Sequence, residues 1–259
     1  MTDEVLQALR KDIITAMKAL LPRAGDPLRF LGELRDAVAA DPSVAINAAI
    51  AATAMEAATC GAFVRELLAD PRAEVRRGVF EAFAPPRVEV PVPVVKPVPD
   101  PELDEMLRQG LHDPDAGVRT AAAKYAFVAE RGAHVLGALV VNVEAPEPEL
   151  RWWVVLAMGQ AGDLISLDLL EQLAAADDDL RFAGAAVRAL AARPDGHATW
   201  LSAIDDPRSG MHETALFGLA RIATGVSATA LAVLAADPRA DVQAALAAYR
   251  TRTAERGPR

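Results

Sequence analysis

The residues best placed to do chemistry come as a repeated pair, a turn residue followed six positions later by a polar residue. Asp113 and Arg119 show it most clearly, in Asp113-Pro114-Asp115-Ala116-Gly117-Val118-Arg119. An acid and a guanidinium this close at a helix start could clamp an anion or hold a reacting carboxyl. The pairs are Asp41/Asn47, Asp70/Arg76, Asp113/Arg119, Ala145/Arg151, Ala175/Arg181, Asp206/His212 and Asp237/Gln243. Recurrence argues against unique chemistry and for a structural device, because capping and turn-bridging charges use these residue types. Other candidates are sparse. His112, His134, His197 and His212 show no H-x-x-x-H spacing, so no metal site is expected. Cys60 stands alone in an Ala-rich run and reads as a small buried hydrophobe. The run Asp177-Asp178-Asp179 lacks the later Gly and Glu of a calcium loop, and it fits a helix start. Phosphate-binding glycine loops and a G-x-S-x-G elbow are missing, so no catalytic residue and no cofactor are expected.

The elements that position these pairs are helical. The chain has 259 residues, 52% hydrophobic but only 5% aromatic, which suits closely spaced Ala-rich helices better than a β-sandwich. A net charge of −9 disfavours nucleic acid and anionic membranes as partners. No apolar run is long enough to span a bilayer and no signal sequence opens the chain, so a cytoplasmic, bacterial setting is expected. Residues 3–21 read as an amphipathic capping helix, with Val5, Leu9, Ile13, Met17 and Leu20 on one stripe. Beyond it, successive second members of the pairs lie 29, 43, 32, 30, 31 and 31 residues apart. A period near 31 with two helical patterns per unit marks an α-solenoid. The expected architecture is all-α, about seven helical pairs behind an N-terminal cap, in one domain over 1–259. Each unit has an apolar helix A, a short turn and a helix B. Gly162, after one B helix, suits a positive-φ terminus.

The run Asp-Pro-Asp-Ala-Gly-Val-Arg-Thr-Ala-Ala-Ala at 113–123 resembles HEAT repeats, in particular the short HEAT-like type also found in phycobilisome lyases. The resemblance covers roughly residues 27–252. It implies a side-chain ladder between repeats, carried here by Asp70, Arg76, Asp113, Arg119, Arg151 and Arg181. Asn47, Ala145, Ala175, His212 and Gln243 depart from the pattern, so the ladder is expected to be incomplete at both ends and interrupted in the middle.

Specificity is then expected where the copies deviate. Residues 85–99, Pro-Pro-Arg-Val-Glu-Val-Pro-Val-Pro-Val-Val-Lys-Pro-Val-Pro, forbid a helix and favour an extended strand between the second and third repeats. They read as a linker over the surface or as a docking arm bearing Val90, Val92 and Val94. In HEAT-like solenoids the B helices line the concave face, and the residue after each ladder position points outward. Trp152 and Phe182 stand there, with Leu156 and Phe217 one turn further on. These four form either an apolar binding patch or ordinary core. Trp153 is set about 100° from Trp152, so at least one of the two belongs to the core. Trp200, Tyr125 and Tyr249 read as core. The expected function is a non-enzymatic scaffold or adaptor for another protein, using the helix-B face or the Pro-rich insertion. Two alternatives follow from the resemblance: a lyase or chaperone-like factor for a tetrapyrrole-carrying protein, and a nucleic-acid-binding protein like the HEAT-like alkylpurine glycosylases.

Overall fold

The computed structural model describes residues 2–11, 16, 20, 25–84, 98–176, 180–208, 210–223 and 225–256. Every regular element among them is helical, and they fall into two compact units, Met1–Arg131 and Gly132–Arg259. The boundary lies after the third helical pair, away from the Pro-rich stretch. Residues 85–97, with Val90, Val92 and Val94, and the acidic run 177–179 lie outside the described residues.

The first unit opens with α1 (Thr2–Leu9), whose Val5 and Leu9 are buried as the stripe predicts. Three pairs follow: α2 (Pro27–Ala40) with α3 (Ala45–Ala52), α4 (Ala57–Leu68) with α5 (Ala73–Phe83), and α6 (Asp100–Leu111) with α7 (Ala116–Val128). The starts are set by caps. Asp26 accepts from the Arg29 amide ahead of Pro27 in the first turn, and Asp115 accepts from the Val118 amide at 3.0 Å. The core is Phe30, Leu34, Phe63, Phe80, Phe83, Leu103, Leu107 and Tyr125, each burial contributing roughly 1.5–3 kcal/mol. Cys60 lies in it, and burial pushes its thiol up to about 11. The second helices α3, α5 and α7 pack on one another in sequence.

The second unit has four pairs: α8 (Leu136–Val140) with α9 (Pro148–Met158), α10 (Leu167–Ala175) with α11 (Leu180–Ala191), α12 (His197–Ser202) with α13 (Met211–Phe217), and α14 (Ala228–Ala236) with α15 (Ala240–Arg256). Ser166 and Ser227 cap α10 and α14. Gly162 turns the chain after α9 with φ of 54°, a value only glycine adopts without strain. Trp200 is fully buried and donates from Nε1 to the Ala215 carbonyl at 3.1 Å. The buried hydroxyl of Tyr249 accepts from the Val226 amide at 3.3 Å. Again the second helices, α9, α11, α13 and α15, stack in order. The described residues thus hold seven helical pairs behind an N-terminal helix, the α-solenoid class.

Candidate functional site

A complete ladder rung stands in the first unit. Arg76 donates from Nε and an Nη to the two carboxylate oxygens of Asp113 at 2.7 and 2.9 Å, tying α5 to the turn of the next repeat. Its remaining Nη donates to the carbonyls of Asp70 and Pro71. Burial of Asp113 opposes its ionisation. The Arg76 guanidinium and the Asp115 amide outweigh that and hold the carboxyl below its usual value. Arg119 makes the same backbone contacts, to the carbonyls of Asp113 and Pro114. The ends use other donors in this position. Asn47 reaches the carbonyls of Leu9 and Lys11, and Gln243 those of Leu234 and Asp237. His212 links the Ile204 carbonyl to Asp241 at 2.6 and 2.8 Å.

A second inter-repeat device escaped the sequence reading. In each Asp-Pro-Arg turn the arginine grips its own aspartate and reaches carbonyls at the end of the preceding repeat's first helix. Arg72 grips Asp70 and reaches Val38 and Ala39, and Arg208 grips Asp206 and reaches Ala174 and Ala176. Arg239 grips Asp237 and adds Asp205 and the Ile204 carbonyl. This contact holds the Asp237 carboxyl near 2. The signal was available: the tripeptide Asp-Pro-Arg stands at 70–72, 206–208 and 237–239.

In the middle of the second unit the pattern changes. Helix α10 runs through Ala175, and the extended residue after it is Ala176. The six-residue offset counted from Ala176 falls on Phe182, not Arg181. This one-residue slip corrects the expected placement of both side chains. Phe182 is 5% exposed and packs inward, and the Arg151 guanidinium lies over its ring at 5.4 Å. Arg181 is exposed and lies over the Trp152 ring at 5.6 Å. Leu156 is only 9% exposed and belongs with the core. Trp153 is buried beside Trp152, their ring centroids 4.5 Å apart. Of the four residues expected in the patch, Trp152 remains half-buried and Phe217 is 45% exposed, capped by the Arg188 guanidinium at 4.8 Å.

Of these side chains, Trp152, Arg181 and Arg188 line a groove of about 210 Å³ across α9, α11 and α13. Trp152 forms one wall, Leu180, Arg181, Gly184 and Arg188 the floor, and Thr214 the far side. Phe217 continues the row one turn beyond Thr214. The arrangement offers aromatic faces, planar guanidinium donors and a small-residue floor. Such side chains are suited to contacts with another chain. Among the described residues no cluster of His, Cys, Asp or Glu is arranged to hold a metal ion. No described helix is long and apolar enough to cross a membrane.

Comparison with known proteins agrees with the fold. Residues 105–191 match a family model described as HEAT repeats. Over 96% of this chain and 92% of the other, the structure is similar to the X-ray structure of YIBA_ECOLI, with a TM-score of 0.61 at 16% identity. It is also similar to the crystal structure of an engineered protein, with a TM-score of 0.57 and 18% identity over 95% of this chain and 77% of that one. At these identities the likeness concerns the fold alone. No curated protein matches the chain.

Proposed function

We propose that this chain is a non-enzymatic protein-interaction scaffold that takes its partner on the helix-B face of the second unit, at Trp152 and Phe217. The observation that carries the reading is the groove across α9, α11 and α13, where the inter-repeat ladder gives way to aromatic side chains under guanidinium groups. Trp and Arg are the residues most often found as binding hot spots, and repeat arrays present such faces over several repeats. The tetrapyrrole-lyase reading gains nothing from Cys60, a buried thiol that stays protonated at neutral pH. Nucleic-acid binding would need a broader basic surface than this acidic chain offers.

The test is affinity purification from the native host with wild-type chain, Trp152→Ala/Phe217→Ala and a deletion of 85–97, each checked by circular dichroism and thermal melting. The aromatic double variant loses a partner that the deletion variant keeps, with its helicity unchanged. A partner retained by the double variant and lost with the deletion would move the site to the Pro-rich insertion.

A further inference from the structure

We propose that His197 is an acid-sensitive pin: when its ring takes up a second proton, helix α12 lets go of α13, and a partner held at Trp152 and Phe217 is released. The release rests on the scaffold reading; the pin itself does not.

Helix α12 is six residues, HATWLS, and no side chain caps its start. A helix this short does not hold itself in water, so it depends on what its side chains bury. Two of them, His197 and Trp200, are buried, and their rings meet edge to face with centroids 5.4 Å apart. Trp200 is the tie to α13. Its Nε1 donates to the Ala215 carbonyl, and its ring lies so close to Gly218 that a Cβ there would stand 2.8 Å from the ring nitrogen. Ala215 stands between Thr214, which lines the groove, and Phe217. Loosening at His197 therefore reaches the far side of the groove through one residue, Trp200.

The ring is set up for the neutral state. The Ala191 backbone, at the end of α11, bonds one of its nitrogens, while Nε2 is buried with no hydrogen-bond partner among the described residues. A neutral imidazole donates from one nitrogen only; the imidazolium donates from two. The second proton would make Nε2 a charged donor shut away from any acceptor, the least tolerated state of a buried polar group. No surrounding charge relieves it. Asp195, in the turn before α12, favours the imidazolium, but both its oxygens accept from Arg193, at 3.0 and 2.7 Å. Glu171 of α10 bonds Thr199 instead. The charged side chains of α11 are Arg181 and Arg188, both cations, and the acids at 177–179 precede the opposite end of that helix from Ala191. On α13, Glu213 is exposed and His212 is engaged with Ile204 and Asp241. Burial prevails and lowers the pKa of His197.

His212 answers acid in the opposite sense. Both its nitrogens have acceptors, so protonation tightens α13 onto Asp241 of α15. Opening is thereby confined to α12 and its contact with α13. It begins as pH falls below the ordinary histidine value near 6.5 and grows until the lowered folded value is passed.

The experiment is amide hydrogen exchange of the full chain, read by mass spectrometry at about pH 5 and about pH 7.5 and corrected for the intrinsic exchange rate. Two variants are compared with the wild type: His197→Asn, which keeps a donor near Ala191 and does not titrate here, and His197→Phe, which keeps a ring. In the wild type, residues 197–202 and 211–217 exchange at least tenfold faster at the lower pH while 240–256 do not, and in both variants the acid increase disappears. Equal protection of 197–202 at the two pH values, an equal rise over every helix, or an undiminished acid rise in either folded variant overturns the pin. A partner captured by the wild-type chain elutes at the lower pH and stays on His197→Asn. A partner that stays on the wild type while 197–202 opens would sink the release and leave the scaffold reading standing.

Discussion

Arg76 and Arg151 occupy the same register in two repeats, yet they do different things. In the first unit Arg76 meets the turn aspartate of the following repeat, Asp113, with both groups mostly buried. In the second unit the corresponding turn residue is Ala176, and Arg151 lies over Phe182. Arg181 then turns outward over Trp152. The difference teaches that the same register position serves as an ion-pair rung in one unit and as a guanidinium over an aromatic ring in the other. An arginine in an ion pair locks neighbouring repeats. The groove lies where arginines stand over rings instead.

This contrast fixes an order of expected effects. The largest is Arg76→Ala, which leaves the Asp113 carboxylate mostly buried without its guanidinium. A loss of about 2–3 kcal/mol is expected, against less than about 1 kcal/mol for the exposed Arg181→Ala, both read from urea melts. Similar losses for the two would erase the distinction between rung and surface. Next comes Arg208→Ala, which removes the grip on Asp206 and the contacts to the Ala174 and Ala176 carbonyls. About 1–2 kcal/mol is expected in the same assay, since several charge-assisted bonds disappear together.

Smaller still is Ala176→Asp, which restores a turn carboxylate beside Arg151. A gain below about 1 kcal/mol is expected, with crystallography showing the Arg151 guanidinium drawn off Phe182 onto the new carboxylate. Arg151 remaining over the ring would mean that the aromatic contact, not the missing acid, sets its position.

The smallest effect is a pH dependence at His212. The Asp241 carboxylate and the Ile204 carbonyl both accept from its ring, raising its pKa. Only the imidazolium can donate from both nitrogens. A raised folded-state pKa stabilises the protonated form. Its contribution is complete below the ordinary histidine value near 6.5 and disappears as pH rises through the higher folded value. His197 acts oppositely, because burial lowers its pKa. It costs nothing above the ordinary value and destabilises as pH falls below it. Melts of His212→Gln across pH 5–9 should lose the alkaline decline, about 0.5–1 kcal/mol, and keep the acidic one. An unchanged alkaline limb would detach the effect from His212.

Much of the fold was legible because its signals are local. Asp26-Pro27 and Asp115 begin helices as capping rules require, and the 31-residue spacing marks the pairs. Trp200, Tyr125, Tyr249 and Cys60 lie in the core as their apolar settings predict. The register left Trp152, Leu156, Phe182 and Phe217 open between patch and core: Phe182 and Leu156 are buried, Trp152 is half-buried and Phe217 is exposed. The reason for Phe182 is one extra residue of helix at Ala175, where no turn aspartate marks the end; a slip of one position rotates a helical side chain by about 100°. The Asp-Pro-Arg clamps were missed because their partners lie more than thirty residues away, so no local rule joins Arg208 to Ala174.

The central claim is that ladder and groove divide stability from recognition. It is tested most directly by the affinity of a captured partner for Arg76→Ala and for Trp152→Ala/Phe217→Ala, measured side by side well below either melting temperature. The account predicts wild-type affinity for Arg76→Ala and at least a tenfold loss for the aromatic double variant. A tenfold loss for Arg76→Ala with the double variant unaffected would contradict it.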